Sequence, residues 1–318
     1  MKTPRHKNLP QLDGGIFLSD GGLETSLIFL DGIELPHFAA FALMRDAAGR
    51  KAIRNYYEPY LKIAKAQGAG FILETPTWRA SSDWGAKLGW SEAEITAVNS
   101  DSIAMMFEIK AQHASPRLPI VVSGAIGPRG DGYDPGLIMS AKEAADYHAA
   151  QIVAFADAGA ELASAFTMTN APEAIGIVMA ARKAKLPVVI SFTLETDGRL
   201  PTGQRLGDAI RQVDAATNSV AAYFMINCAH PSHFEAELNS GDAAMARIRG
   251  LRANASRRSH QELNDAPDLD AGDPVELGGE YCDLMRRHPQ IVVVGGCCGT
   301  DHRHIGEIGK ACCGKKAA

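Results

Sequence analysis

A single (β/α)8 TIM barrel is the fold class this sequence predicts, and three observations carry it. Short apolar runs ending in Gly, Ser, Thr or Asp alternate with longer helical patterns along the whole chain. Most runs are rich in Val, Ile, Leu or Phe without polar alternation, as parallel strands buried on both faces require. The 318 residues carry no sharp change of composition that would mark a second domain, and α/β barrels commonly exceed about 200 residues as one domain.

The strand candidates, in order, are Ile16–Ser19, Gly70–Glu74, Ile120–Ser123, Glu161–Phe166, Val188–Phe192, Ala222–Asn227, Ile248–Ala253 and Ile291–Val294. The seventh, IRGLRA, is the most basic and the weakest pattern. Helical spacing covers Ala52–Ala66, Glu92–His113, Lys142–Ala158, Pro172–Ala184, Asp208–Ser219, His233–Met245 and Glu276–Arg287. Serine or proline opens several of these, and Gly68 and Gly159 follow two of them as stop signals. A doubly wound open sheet is the rival fold, but no G-x-G-x-x-G follows the first strand, where the chain reads SDGGLETSL. The expected organisation is a flexible N-terminal segment over 1–14, the barrel over 15–310 and a loose tail over 311–318. The polar stretch Asn254–Gly279 is expected as a long loop at the barrel mouth.

Composition narrows the class of function. The net charge is −5 and the charges are dispersed, so there is no footprint for nucleic acid or an anionic membrane surface. No run approaches the roughly 18 apolar residues of a membrane span, and MKTPRHKNLPQLDGG has no apolar stretch of the kind that forms a secretory signal. A cytoplasmic protein with small-molecule partners is expected, its oligomeric state left open.

In such barrels the residues just past each strand assemble the site. Here they include Asp20-Gly21-Gly22-Leu23-Glu24-Thr25, Glu74-Thr75, Phe166-Thr167, Asn227-Cys228, Asn254 and Cys297-Cys298. Strand six brings one thiol and strand eight brings two adjacent ones. Three thiolates at one point need a cation, and zinc is the soft divalent ion with a tetrahedral preference. Three protein ligands with an open fourth position match a catalytic site rather than a structural one. Zinc with three thiolates carries a formal −1, which makes it a poor activator of water. It still favours the ionised form of an incoming thiol. Such a site suits alkyl transfer to sulfur. Cys282 reads as a buried core residue, and Cys312-Cys313 as part of the tail.

INC at 226–228 and GGCCGT at 295–300, behind DGGLET at 20–25, resemble the homocysteine S-methyltransferases. ETPTWRAS at 74–81, VSGAIGPRGDGY at 122–133 and SFTLETDGRLPTG at 191–203 extend the likeness, which runs from about Gly15 to Ile308. That zinc-dependent group includes the betaine– and S-methylmethionine–homocysteine methyltransferases. The resemblance implies zinc on Cys228, Cys297 and Cys298. It implies a homocysteine acceptor bound to the metal through sulfur, with Asp20-Gly21 holding its amino acid end, and a sulfonium or quaternary ammonium methyl donor. One position departs: the family glutamate at the end of strand four is Phe166 here. Glu24, Glu74 or Glu195 is then left to meet an ammonium group, or the acceptor differs.

Trp78 offers its π face to a cationic donor, and Asn227 and Asn254 offer hydrogen bonds to substrate or ligands. His230, His233, His302 and His304 lie near the cysteines in sequence as solvated or supporting groups. The function expected is zinc-dependent S-methyl transfer giving methionine. Its rivals are the same barrel acting on another thiol or in demethylation with a partner system, and a non-catalytic zinc or thiol redox sensor.

Overall fold

The computed structural model describes residues 9–266 and 268–313. Eight parallel strands close into one barrel in sequence order: β1 Phe17–Leu18, β2 Gly70–Glu74, β3 Ile120–Ile126, β4 Leu162–Met168, β5 Val188–Phe192, β6 Phe224–Asn227, β7 Ile248–Ala253 and β8 Val293–Gly296. Closure comes where Phe17 and Leu18 pair with Val293 and Val294. The basic seventh strand is real, and β8 sits two residues later than expected.

The helices are α1 Leu23–Phe29, α2 Ala47–Gln67, α3 Ser82–Lys87, α4 Glu92–His113, α5 Ala141–Asp157, α6 Ala171–Ala184, α7 Leu206–Thr217, α8 Pro231–Leu238, α9 His260–Asn264, α10 Pro274–Arg287 and α11 His302–Cys313. Ser91 and Ser140 close capping boxes with Glu94 and Glu143, which is why α4 and α5 begin at those points. The helix expected over His233–Met245 stops at Leu238, because the chain turns through Gly241 in the left-handed region, and resumes as a short 3-10 turn. The polar stretch after Asn254 is not all loop: it holds α9 and the first turns of α10.

Two expectations at the ends need correction. Leu9 and Gln11, from the segment expected to be flexible, are buried: Leu9 joins Phe17, Ile72, Val121, Leu162, Val189 and Val293 in the lower interior of the barrel. Gln11 reaches Tyr223 Oη at 3.4 Å. Cys312 and Cys313 end α11 and pack against the outer core, so residues 311–313 are helix and not the loose tail expected there. Burial pushes their thiols up to about 12 and about 11, which makes them weak nucleophiles. Residues 1–8 and 314–318 lie outside the described residues. Among the described residues no helix is long and apolar enough to cross a membrane.

Candidate active site

The C-terminal ends of the strands surround a cavity of about 420 Å³, a size suited to one or two small molecules. Asp20, Gly21, Glu24, Glu74, Trp78 and Asn227 line it, and so do Cys228, Cys297 and Cys298. Asn254 does not: it is buried behind the rim, with its backbone N–H on the Ala229 carbonyl. Nor do His230, His233, His302 or His304. His230 caps α8, His233 bonds the Arg257 carbonyl and His304 bonds Asp301 and the Ala271 carbonyl. Burial lowers His230 to about 4, which keeps it neutral.

The sulfur atoms of Cys228, Cys297 and Cys298 all lie within 4.8 Å of one another, though they come from two strands about seventy residues apart. Cys228 and Cys297 are joined as a disulfide, with Cα atoms 5.4 Å apart, and Cys298 is a free thiol. The sequence reading has three free ligands, and the structure has one thiol and a bridge. Once the bridge is reduced, the donor set fits zinc. Bonds of ~2.3 Å to sulfur place tetrahedral ligands ~3.8 Å apart, within the spread seen here.

Neighbouring groups fix the thiols. Asn227 Oδ1 accepts from the Thr167 N–H at 2.8 Å and from Ser191 Oγ at 2.6 Å, while its Nδ2 donates to Thr167 Oγ1 at 2.8 Å. The same amide nitrogen lies 3.9 Å from Cys297 Sγ. Thr167 Oγ1 in turn lies 3.8 Å from Cys228 Sγ. Thr167 and Cys228 both hold left-handed backbone, φ 61° and 53°. That conformation is costly for a β-branched residue, and strain of this kind clusters at functional sites. Tyr133 Oη meets Cys298 Sγ at 3.5 Å, and its ring stacks on His260 with centroids 4.0 Å apart. His260 sits between the Cys228 carbonyl and the Glu195 carboxylate. Burial raises the Cys298 thiol, which Tyr133 partly offsets.

Charge is arranged unexpectedly. Arg252 of β7 points into the barrel, bonds Asp20 Oδ1 at 2.7 Å and lies 5.0 Å over the Phe166 ring. Its other donors reach Gly296 O, Ser19 Oγ and Gly21 O. Burial opposes its charge, yet the Asp20 carboxylate lifts its pKa above the ordinary value. Tyr56 Oη donates to the second Asp20 oxygen at 3.0 Å. Asp20 is therefore occupied by the protein itself. Gly21 and Gly22 are tightly packed: a Cβ at either would stand 2.7 Å from Thr300 O or 2.6 Å from Cys297 O. The DGG turn is thereby pressed onto the cysteine loop.

Glu24 and Glu74 remain. Burial raises each to about 7; the Arg252 charge pulls Glu74 back and the Asp20 charge pushes Glu24 further up. Glu74 Oε2 is buried and has no hydrogen-bond partner. Glu195, the third carboxylate considered for an ammonium, does not line the cavity.

Tyr133, His260, Arg79 and Arg252 are the site residues that sequence reasoning missed, and Thr167, placed at the strand end by the sequence, was given no role there. Tyr133 and Arg79 stand inside the quoted stretches VSGAIGPRGDGY and ETPTWRAS. A charged residue in an otherwise buried strand was the available signal for Arg252.

Fold and site together define a (β/α)8 barrel with a cluster of thiols in the cavity at its strand ends. A family model described as homocysteine S-methyltransferase matches residues 17–312, so the chain belongs to that family and is a methyltransferase. Among solved structures it resembles the homocysteine methyltransferase MmuM of Escherichia coli. The metallated form matches at 20% identity over 93% of this chain and 96% of that one, with a TM-score of 0.73. The oxidized form matches at 22% identity over 92% and 94%, with a TM-score of 0.72. At that identity the likeness speaks for the fold. No curated protein matches the chain.

Proposed function

We propose that this protein is a zinc-dependent S-methyltransferase. It would take a methyl group from a sulfonium or quaternary ammonium donor and give it to the thiol of homocysteine, forming methionine. The carrying observation is the meeting of Cys228, Cys297 and Cys298 in the wall of the cavity.

Zinc held by these three would keep an acceptor thiol ionised at neutral pH, where a free thiol near pKa ~8.5 is mostly protonated. The rest is done by side chains. Asn227 and Thr167 hold Cys228 and Cys297 in place, so that little reorganisation accompanies reaction. Trp78 and Phe166 line the same cavity, each with an arginine already over one ring face, and the opposite faces would suit a cationic methyl donor. Positioning supplies much of the rate, because no general base is needed once the thiol proton has gone. With Asp20 held by Arg252, Glu74 and Glu24 are the two of the three glutamates considered that line the cavity and can receive an ammonium, and the Asp131, Asp268 and Asp270 carboxylates line it too. A bound cation would return both glutamates to the charged form.

Phe166 and the Asp20–Arg252 pair favour a second reading, in which the acceptor is another thiol without an ammonium group. A screen of cationic donors against thiol acceptors, run with reduced, zinc-loaded protein and products read by mass, separates the two. Methionine from homocysteine supports the first reading. Transfer only to another thiol supports the second, and no transfer to any thiol removes both.

A further inference from the structure

The mouth of the barrel holds two buried arginines in opposite states. Every guanidinium nitrogen of Arg252 donates to an oxygen of the protein. Arg79, in the loop after β2, lines the same cavity and makes no hydrogen bond to any described residue. Its Nε and Nη1 are buried without a partner. Its Nη2 comes no nearer to a carboxylate than 3.9 Å, at Asp131. That carboxylate is half exposed, and its Oδ1 already accepts from the Tyr133 and Asp134 N–H groups.

The Arg79 side chain is 10% exposed. Its guanidinium carbon lies 3.6 Å from the Trp84 ring centroid and 4.5 Å from that of Trp78. The indoles hold the plane of the cation through π contact and shield it from water. They supply no acceptor for its donors. Leaving a buried charged donor unmatched is costly, so the arrangement is suited to an acceptor that arrives with a ligand. A planar fork of N–H groups fits a carboxylate at two points, and a preset plane makes that fit selective.

Position indicates what else the ligand carries. Arg79 shares the cavity with Tyr133, whose hydroxyl touches Cys298, and with Glu24. Arg79 and the thiol cluster line one cavity, so a ligand held at the thiols by one end can offer its other end to the guanidinium. We propose that Arg79 is the dock for the carboxylate of an amino acid-like substrate, and so a specificity-determining residue of this site. The proposal rests on the methyl-transfer reading for the identity of the substrates. The carboxylate itself could belong to the acceptor or to the donor.

The test titrates the quenching of tryptophan fluorescence in reduced, zinc-loaded full chain with matched probes, and measures KM and kcat wherever turnover occurs. L-homocysteine is set against 3-mercaptopropylamine, which lacks the carboxylate. S-methyl-L-methionine is set against 3-aminopropyl(dimethyl)sulfonium, and glycine betaine against tetramethylammonium. In wild type, the carboxylated member of at least one pair binds more tightly. Arg79→Gln weakens that member about tenfold or more, the loss expected of a charge-assisted pair. It leaves the carboxylate-free partner within about twofold and acts on KM far more than on kcat. Arg79→Lys keeps the charge and restores part of the loss. A change confined to the homocysteine pair assigns the acceptor's carboxylate, and one confined to a donor pair assigns the donor's.

Equal binding within every pair in wild type overturns the proposal, as does an Arg79→Gln effect that falls equally on both members. Absence of turnover with every donor removes the methyl-transfer reading instead, while the titration still reports on Arg79.

Discussion

Asn227 grips Thr167 from both sides of its amide, accepting the backbone N–H and donating to the hydroxyl, each at 2.8 Å. Through that grip a residue of β4 is held at φ 61° beside Cys228, itself at φ 53°. The amide also approaches Cys297. One side chain thus links both cysteine-bearing segments. Asn227→Ala is expected to weaken zinc binding about 10- to 100-fold in the reduced protein. Competition against a chelating dye reads this directly. An unchanged zinc affinity would separate the Asn227–Thr167 clamp from the metal.

Cys298 is the free thiol of the cluster. Reduced wild type is expected to carry one zinc per chain by elemental analysis, and Cys298→Ala to lose it together with methyl transfer. Two ligands and water make a far weaker site than three thiolates. Retention of stoichiometric zinc by the variant would place the metal elsewhere.

Asp20 and Arg252, nearly fully buried, form a pair across the barrel seam at 2.7 Å. Arg252→Met leaves Asp20 in the interior with Tyr56 as its remaining side-chain donor. Breaking one half of such a pair costs roughly 3–5 kcal/mol, so the denaturation midpoint should fall steeply. Asp20→Asn combined with Arg252→Met should lose less than the sum of the two single changes, since neither then strands a charge. Simple additivity would mean that the ion pair is not what holds the DGG turn.

Glu74 has a pH signature. Its carboxyl sits at about 7 when folded, against 4.5 for the ordinary group. Between those values the folded chain holds the extra proton, so stability falls as pH rises from 4.5 to 7. The full cost, reached above pH 7, is about 3 kcal/mol. Glu74→Gln removes this contribution, and the metal-free variant should be more stable than wild type at pH 8 but similar at pH 4.5. Melts at the two pH values check it: a variant less stable than wild type at pH 8 would mean that Glu74 has a cationic partner in the folded state.

How far the sequence could be read follows from how local each cause is. The strands β2, β3, β5 and β6 are apolar runs whose burial is written in their own residues, and they fall within a few positions of expectation. The meeting of Cys228 with Cys297 and Cys298 follows from strand order alone. The role of Arg252 does not, because its partner Asp20 lies 232 residues away and meets it only when the barrel closes. Read alone, IRGLRA is a poor strand. The bent backbone at Thr167 was equally hidden, since threonine by itself favours extended structure. What bends it is the Asn227 amide from another strand. Helix α11 was missed because it opens on HRH and lacks a long apolar stripe, although Ile305 and Ile308 anchor it. Arg79 could be quoted but not interpreted, because its significance lies in the hydrogen bonds it fails to find.

Leu9 and Gln11 fill the end of the barrel opposite the thiols. With that floor plugged, the enzyme is a cul-de-sac. Among the described residues, reactants and products would then share the cavity's opening at the strand ends, so that each departure clears the way for the next arrival.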